Sequence, residues 1–163
     1  MAGPMAPPTR MQLGRIKRQL ATARRGHKLL KDKRDELMRR FLALVSKARR
    51  QRETVQKALS AYYQAMAAAR AEMGQAAYFA ALCWPGPPLT VEAGTQKAMG
   101  AVLCTLRGQA PPQPALCLET AGLKEGMAQL CALWPELLAL AEMEENIRRL
   151  GREIERTLSL IHI

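Results

Sequence analysis

Apolar residues recur at alternating steps of three and four from Leu13 to Ala69, which is the spacing of a coiled-coil seam. Fourteen of the seventeen seam positions are apolar or tyrosine, and the polar exceptions are His27, Arg34 and Gln51. After Val55 the seam is rich in alanine, which allows two helix axes to approach closely. The pattern therefore predicts one long helix over residues 10–83, a rod of about 100 Å at 1.5 Å per residue.

The remaining segments predict a tail, a tip and a second helical arm that packs against the first helix. Residues 1–9 hold three prolines and no helical periodicity, so a flexible tail is expected. Residues 84–114 hold six prolines and four glycines and predict a small irregular tip, within which 96–106 suits either a short helix or two short strands. Helical spacing resumes over residues 115–157, where Pro135 marks either a kink or the start of a fresh helix. The predicted fold class is all-α: a long antiparallel two-helix coiled-coil hairpin with the irregular insertion at its tip.

The two helical arms differ in length, with about 40 residues in the second and about 70 in the first. Folded back from the tip, the second arm reaches only to about residue 40, so the seam from Leu13 to Leu37 is expected to lack a partner within this chain. Another protein, or a lost C-terminal end of the chain, is expected to cover that stripe. The last six residues, Leu158–Ile163, match the translation of a transposase end sequence used in sequencing libraries, and we interpret them as non-native.

Positive charge is concentrated in the first helix. Residues 10–57 hold 17 Lys and Arg against 4 Asp and Glu, whereas the rest of the chain holds 8 against 10. Such a segment favours an acidic protein surface, nucleic acid or anionic lipid as its partner. Asp32, Asp35 and Glu36 lie at helical spacing from these cations and predict ion pairs within the helix, not a catalytic carboxylate pair. We call eight of the cations the basic belt: Arg24, Arg25, Lys28, Lys31, Lys33, Arg34, Arg39 and Arg40.

The residues that carry chemistry are sparse. The four cysteines have no C-x-x-C spacing and no histidine nearby, so reduced buried thiols are expected instead of a zinc site. The sequence shows no nucleophile–base pair and no Gly-rich phosphate loop, and we predict no catalytic residue, no cofactor and no metal. It also shows no signal-peptide core and no run of about 18 apolar residues, so a soluble cytoplasmic protein is expected.

Two segments resemble a known family. Residues 8–37 read PTRMQLGRIKRQLATARRGHKLLKDKRDEL, and residues 140–157 read LAEMEENIRRLGREIERT. Both are similar to the helices of the D subunit of the V/A-type rotary ATPases, the vacuolar-type ATP synthases of bacteria and archaea. In that family a further helical stretch follows the second segment, so the resemblance also indicates a C-terminally truncated copy. The matching positions of the first segment are Pro8, Thr9, Arg10, Leu13, Ile16, Lys17, Leu20, Ala23, Gly26, Leu29, Leu30, Lys31, Lys33, Arg34, Asp35, Glu36 and Leu37.

The resemblance implies a central rotor shaft. Such a shaft stands inside a hexamer of catalytic and regulatory (A and B) subunits and contacts the central-stalk subunits F and C. It transmits rotation to the membrane ion-translocating ring, remains peripheral to the membrane and holds no catalytic residue of its own. The alternative from the residues alone is a basic coiled coil that binds nucleic acid, although Phe41 is the only aromatic residue of the basic segment.

The candidate interface follows from the resemblance and from the seam together. Gly26 is expected where a neighbouring backbone approaches closely, His27 is expected to set packing and register, and Arg34 is expected to pair with a glutamate of the partner helix or to point outward. The residues predicted to contact the hexamer or to pack the shaft are Thr9, Arg10, Leu13, Lys17, Gly26, His27, Leu30, Lys31, Lys33, Arg34, Leu37, Arg39, Arg40, Leu150 and Ile154.

Overall fold

The computed structural model describes residues 9–83, 89–110 and 120–161. Within them lie three helices and two strands, in the order α1 (Arg10–Met73), α2 (Gln75–Leu82), β1 (Val91–Ala98), β2 (Ala101–Gly108) and α3 (Ala121–Ile161). The predicted tail over residues 1–9 lies outside the described residues, apart from Thr9. No helix in the described part of the chain is long and apolar enough to cross a membrane.

Helix α1 is the predicted rod, at 64 residues. Its first turn is capped as expected, because Thr9 Oγ1 accepts a hydrogen bond from the Gln12 N–H at 3.3 Å. The prediction of unbroken helix to residue 83 is wrong. Gly74 has φ +78°, a positive value that glycine adopts without steric cost, and this residue separates α1 from α2.

Helix α3 runs antiparallel to α1 and forms the predicted two-helix pair. Near its start Leu123 packs with Ala69 of α1, and near its end Leu150 and Ile154 pack with Leu37. Pro135 lies inside α3 and does not start a fresh helix. The described helix covers residues 121–161, so the predicted arm over 115–157 is confirmed from residue 121 onward.

The paired part of the seam extends further than expected. Leu37 is fully buried, although the sequence predicted no partner for it within the chain. Lys33 also reaches α3, where its Nζ lies 2.6 Å from Glu153 Oε1. The α3 residues that make these contacts, Leu150, Glu153 and Ile154, lie within the predicted arm 115–157. The two arms therefore pair closer to the N-terminus of α1 than counting back from the tip placed them.

The insertion is an ordered β-hairpin, so the protein is mostly helical and not all-α. Strands β1 and β2 pair antiparallel without a bulge, from Val91 opposite Gly108 to Ala98 opposite Ala101. The two residues of the turn, Met99 and Gly100, have φ +52° and +87°. Positive φ at both central residues gives the turn geometry whose twist suits a two-residue hairpin. The expectation of an irregular segment is therefore wrong for residues 91–108, and of the two alternatives given for 96–106 the pair of short strands is the one that the structure shows.

The hairpin also does not lie beyond the end of the helical pair. It folds back along α3, with the buried Ala101 in the same apolar cluster as Leu37, Leu150 and Ile154. At its other end, Gly108 lies against α3 near Trp134 and Leu138. The hairpin thus makes a third layer beside the two helices, in the half of the pair that is nearer the C-terminus of α3.

Candidate interaction surface on the first helix

Residues 10–29 of α1, which we call the unpaired segment, extend past the paired part of the molecule. The side chains of Leu13, Ile16 and Leu20 are 54%, 48% and 49% exposed. The segment holds seven Lys and Arg and no Asp or Glu. A single helix with a narrow apolar stripe and strong positive charge is suited to being covered by another polypeptide with acidic groups.

Gly26 lies in the unpaired segment, near its C-terminal end. A Cβ built on Gly26 would meet nothing within 4 Å among the described residues. The expected close approach of a neighbouring backbone is therefore not made by the described part of this chain. The adjacent His27 is exposed. The packing roles expected for both residues thus stay predictions about a partner protein.

The basic belt divides into anchored and free cations. Lys33 is anchored on α3 by Glu153, and both side chains are less than one-third exposed. Arg34 pairs with its neighbour Asp35 at 2.5 Å and not with a glutamate of α3, and its side chain stays 30% exposed. Arg24, Arg25, Lys28 and Lys31 make no ion pair within residues 9–83, 89–110 and 120–161.

Arg39 and Arg40 both hold the carboxylate of Glu36. Arg39 Nε donates to Glu36 Oε2 at 2.8 Å, and Arg40 Nε donates to Glu36 Oε1 at 2.7 Å. Hydrogen bonds first from Arg39 and then from Arg40 lower the pKa of Glu36 from 4.5 to about 2. The predicted ion pairs within the helix are thus confirmed at Glu36, and the three groups together carry one net positive charge.

Neutralising both arginines should release this carboxyl group. In the native chain the NMR titration of the Glu36 side chain should have its midpoint near pH 2, and in R39Q/R40Q the midpoint should rise toward 4.5. Because the folded pKa lies below the unfolded value, the stabilisation from Glu36 is present above about pH 4.5 and is lost as the pH falls toward 2. The control K47Q/R50Q removes two charges from the same helix and should leave the midpoint unchanged. A midpoint near 4.5 in the native chain would contradict these contacts.

The predicted interface residues divide into three groups by exposure. The buried ones form the contact between α1 and α3 and are Leu37, Leu150 and Ile154. The half-buried ones are Gly26, Leu30, Lys33 and Arg34. The exposed ones are Thr9, Arg10, Leu13, Lys17, His27, Lys31, Arg39 and Arg40. The structure therefore brings together the shaft-packing members, and Lys33 reaches α3 through Glu153, whereas the other members lie along α1.

Sequence reasoning missed the two glycines that allow a close backbone approach between the two helices. Gly122 and Gly126, spaced four apart, face the alanine-rich end of α1, and a Cβ on Gly122 would lie 3.3 Å from the Ala69 nitrogen. The expectation of a tight pair at this end is confirmed, but the glycines that permit it are on α3. Their G-x-x-x-G spacing is the signal that could have identified them.

No group of three His, Cys, Asp or Glu side chains converges as a metal site within residues 9–83, 89–110 and 120–161. The spaces beside the helices are open grooves, such as one of about 430 Å³ between α1 and α3 that is lined by Val45, Arg49, Arg52, Glu144 and Ile147. The arrangement is that of a stiff rod with charged surfaces.

Known proteins match this sequence over nearly the whole chain. A family model described as the D subunit of ATP synthase matches residues 12–161. The D subunit of the V-type ATP synthase of Acetivibrio thermocellus is 39% identical over 157 residues, which cover 92% of this chain and 71% of that protein. The proteins of the same name from Clostridioides difficile and Enterococcus faecalis are 38% and 34% identical, again over 92% of this chain, and 70% and 74% of their own lengths are covered.

Proposed function

The chain belongs to the family of ATP synthase D subunits, and from this premise we propose that it is the central rotor shaft of a V/A-type ATP synthase or ATPase. In this proposal it transmits rotation between the catalytic hexamer and the membrane ion-translocating ring. Rotation then couples ATP synthesis or hydrolysis to proton or sodium transport. The observation that carries the proposal is the paired rod of α1 and α3 with one charged, unpaired end.

The construction of the rod suits torque transfer. Helices α1 and α3 are clamped at both ends of their contact, by Leu37 with Leu150 near one end and by Leu123 with Ala69 near the other. The hairpin packs along only part of this pair and makes it asymmetric. An asymmetric rod presents a different face to each surrounding subunit, so that turning it changes which subunit is in its tight-binding state.

The proposed partners follow the distribution of charge. The unpaired segment inserts into the hexamer of catalytic and regulatory A and B subunits, where acidic collar residues meet Arg24, Arg25 and Lys28. Coulomb attraction between such surfaces falls off gradually over about 10 Å at moderate salt, and it tolerates sliding better than interlocked side chains do. The other end of the shaft contacts the central-stalk subunits F and C, in the cytoplasm and peripheral to the membrane. The shaft itself contributes no catalytic residue.

Removal of the free cations should uncouple the shaft from the hexamer. In a complex reconstituted with the other ATPase subunits, R24Q/R25Q/K28Q should lower the rate of ATP-driven ion transport by about threefold or more, because each exposed charge contributes a few tenths of a kcal/mol to the contact. ATP hydrolysis and ion transport are measured together, and their ratio reports coupling.

The control for this triple variant is K47Q/R50Q/K57Q, which removes the same charge from α1 outside the basic belt. This control should give the same ratio of ion transport to ATP hydrolysis as the native chain. Equal coupling in the native and R24Q/R25Q/K28Q complexes would contradict the role of the free cations. If the purified chain binds no ATPase subunit but retains nucleic acid, the result favours the alternative function, a basic coiled coil that binds nucleic acid, over the rotor shaft.

A further inference from the structure

The outer edge of β2 is already closed by side chains of α3. The buried Asn146 accepts from the Cys104 N–H at 2.6 Å and donates to the Cys104 carbonyl at 2.9 Å. One turn earlier, Glu142 Oε2 accepts from the Leu106 N–H at 2.9 Å. These contacts satisfy backbone groups of β2 that do not face β1, so α3 takes the place of a third strand on this side.

The opposite edge of the sheet is open. Because Thr95 pairs with Cys104, whose backbone groups point away from β1, the N–H and C=O groups of Thr95 point away from β2. The same alternation turns the backbone groups of Ala93 and Lys97 outward. Every residue from Val91 to Lys97 is exposed. Strand β1 therefore presents an unpaired ladder of about three residues to solvent, and no described residue covers it.

Natural edge strands usually carry features that block pairing, such as proline, a bulge or charged side chains. Strand β1 has no proline, and its register with β2 runs without a bulge. Its two charged residues, Glu92 and Lys97, lie near its ends, and the residues between them are small or neutral. The middle of this strand therefore carries nothing that opposes the addition of another one.

The charge beside the hairpin turn indicates which kind of strand would add. Lys97 precedes the turn. On the side of the turn that faces α3, a cavity of about 260 Å³ is lined by Gly100 and by cations and anions of α3, which are Arg149, Arg152, Arg156, Glu145 and Glu153. Both glutamates are already paired, Glu145 with Arg148 and Arg149 and Glu153 with Lys33. Arg152 and Arg156 are exposed and pair with no acidic group among the described residues. An added strand is therefore favoured if it carries acidic side chains at the end that lies beside the turn.

The geometry points to strand addition as a second docking mode: an extended edge strand of a neighbouring ATPase subunit, acidic at the end nearest the turn, pairs with β1. This inference rests on the proposed function, because that function supplies the neighbouring subunit. The contact would use a different part of the chain from the unpaired segment, and it would fix the rotational position of a partner on the shaft. Main-chain bonds provide the affinity in this mode, and the terminal charges set the direction of the strand.

Residue-resolved hydrogen–deuterium exchange tests this inference on the chain alone and in the complex with the other ATPase subunits. In the complex, the amides of Ala93, Thr95 and Lys97 should exchange about tenfold more slowly, whereas Gly94 and Gln96, whose amides face β2, should be protected in both states. The variant T95P removes one outward N–H and should weaken assembly by about tenfold, while T95V keeps that N–H and should assemble as the native chain does. Protection of Gly94 and Gln96 in T95P shows that the hairpin is intact.

Three results would overturn the inference. Assembly with unchanged exchange at Ala93, Thr95 and Lys97 overturns strand addition alone and leaves the rotor function in place. Failure to assemble with any ATPase subunit overturns both. If the same amides are protected in the chain alone, and this protection increases with protein concentration, then the strand that pairs with β1 belongs to a second copy of this chain and not to a neighbouring subunit.

Discussion

Replacement of Leu37 by alanine is expected to lower the free energy of unfolding by about 2–5 kcal/mol, which is the range for a leucine deleted from a packed core. Leu37 is fully buried where three elements meet, with Leu150 and Ile154 of α3 and Ala101 of the hairpin around it. Partly buried apolar side chains, Phe41 among them, pack on this cluster. How far they shift into the cavity left by L37A decides where in that range the value falls. Urea unfolding of the isolated chain, followed by circular dichroism, measures the change.

The matched control is L13A, the same deletion on the same helix. Leu13 is 54% exposed and lies in the unpaired segment, so the isolated chain should lose less than about 0.5 kcal/mol. In the reconstituted complex the order of effects should differ, because L13A then removes a contact with the hexamer. Equal destabilisation of the isolated chain by both variants would contradict the pairing of α1 with α3 described here.

The long helix and its paired partner were predictable from the sequence, because a seam of three-four spacing fixes one face of a helix over many turns. Four of the five buried residues of α1, Leu37, Ala48, Val55 and Ala69, occupy predicted seam positions, and the fifth, Met66, lies next to one. The break at Gly74 was not predicted, since a lone glycine in a helical pattern is usually tolerated at a cost of about 1 kcal/mol. Its positive φ accompanies the packing of α2, through Tyr78, onto the cluster at the end of α1.

The hairpin could not be predicted in the same way, and the reason is physical. In strand β1 every side chain from Val91 to Lys97 is exposed, so the strand leaves no alternation of apolar and polar residues to detect. Its position is decided by Asn146 and Glu142 of α3, which bond to the backbone of β2. These contacts are non-local and involve backbone groups, which carry no residue-specific signal.

For the interaction surface, the sequence predicted where the charge lies but not how it is paired. Spacing along one helix was enough to identify the pairs of Glu36 with Arg39 and Arg40. The pair between Lys33 and Glu153 required the register of α1 against α3, which helix periodicity alone leaves open. The cations of the basic belt that make no ion pair could be identified only once the structure showed which of the others are paired.

Substitution of Gly122 by leucine is expected to destabilise the isolated chain by about 1–3 kcal/mol, as overpacking of a close contact does. A side chain at this position would meet backbone atoms of α1, with the Ala69 nitrogen 3.3 Å and the Ala65 oxygen 3.5 Å from its Cβ. Backbone atoms cannot rotate away, so the two helices must separate at the alanine-rich end. Gly126 differs in this respect, because its nearest neighbour is the flexible side chain of Met66. Thermal unfolding of G122L against the native chain measures the effect.

The control G26L makes the same change at a glycine that has no neighbour within 4 Å. In the isolated chain it should stabilise α1 by about 0.5–1 kcal/mol, because leucine is the better helix former. The opposite sign of the two substitutions separates close packing from intrinsic helix propensity. If G26L is stable alone but fails to assemble with the hexamer, then a partner backbone makes the close approach at Gly26 that this chain does not make. Stabilisation by G122L would show that the helices do not touch where Gly122 lies against Ala69.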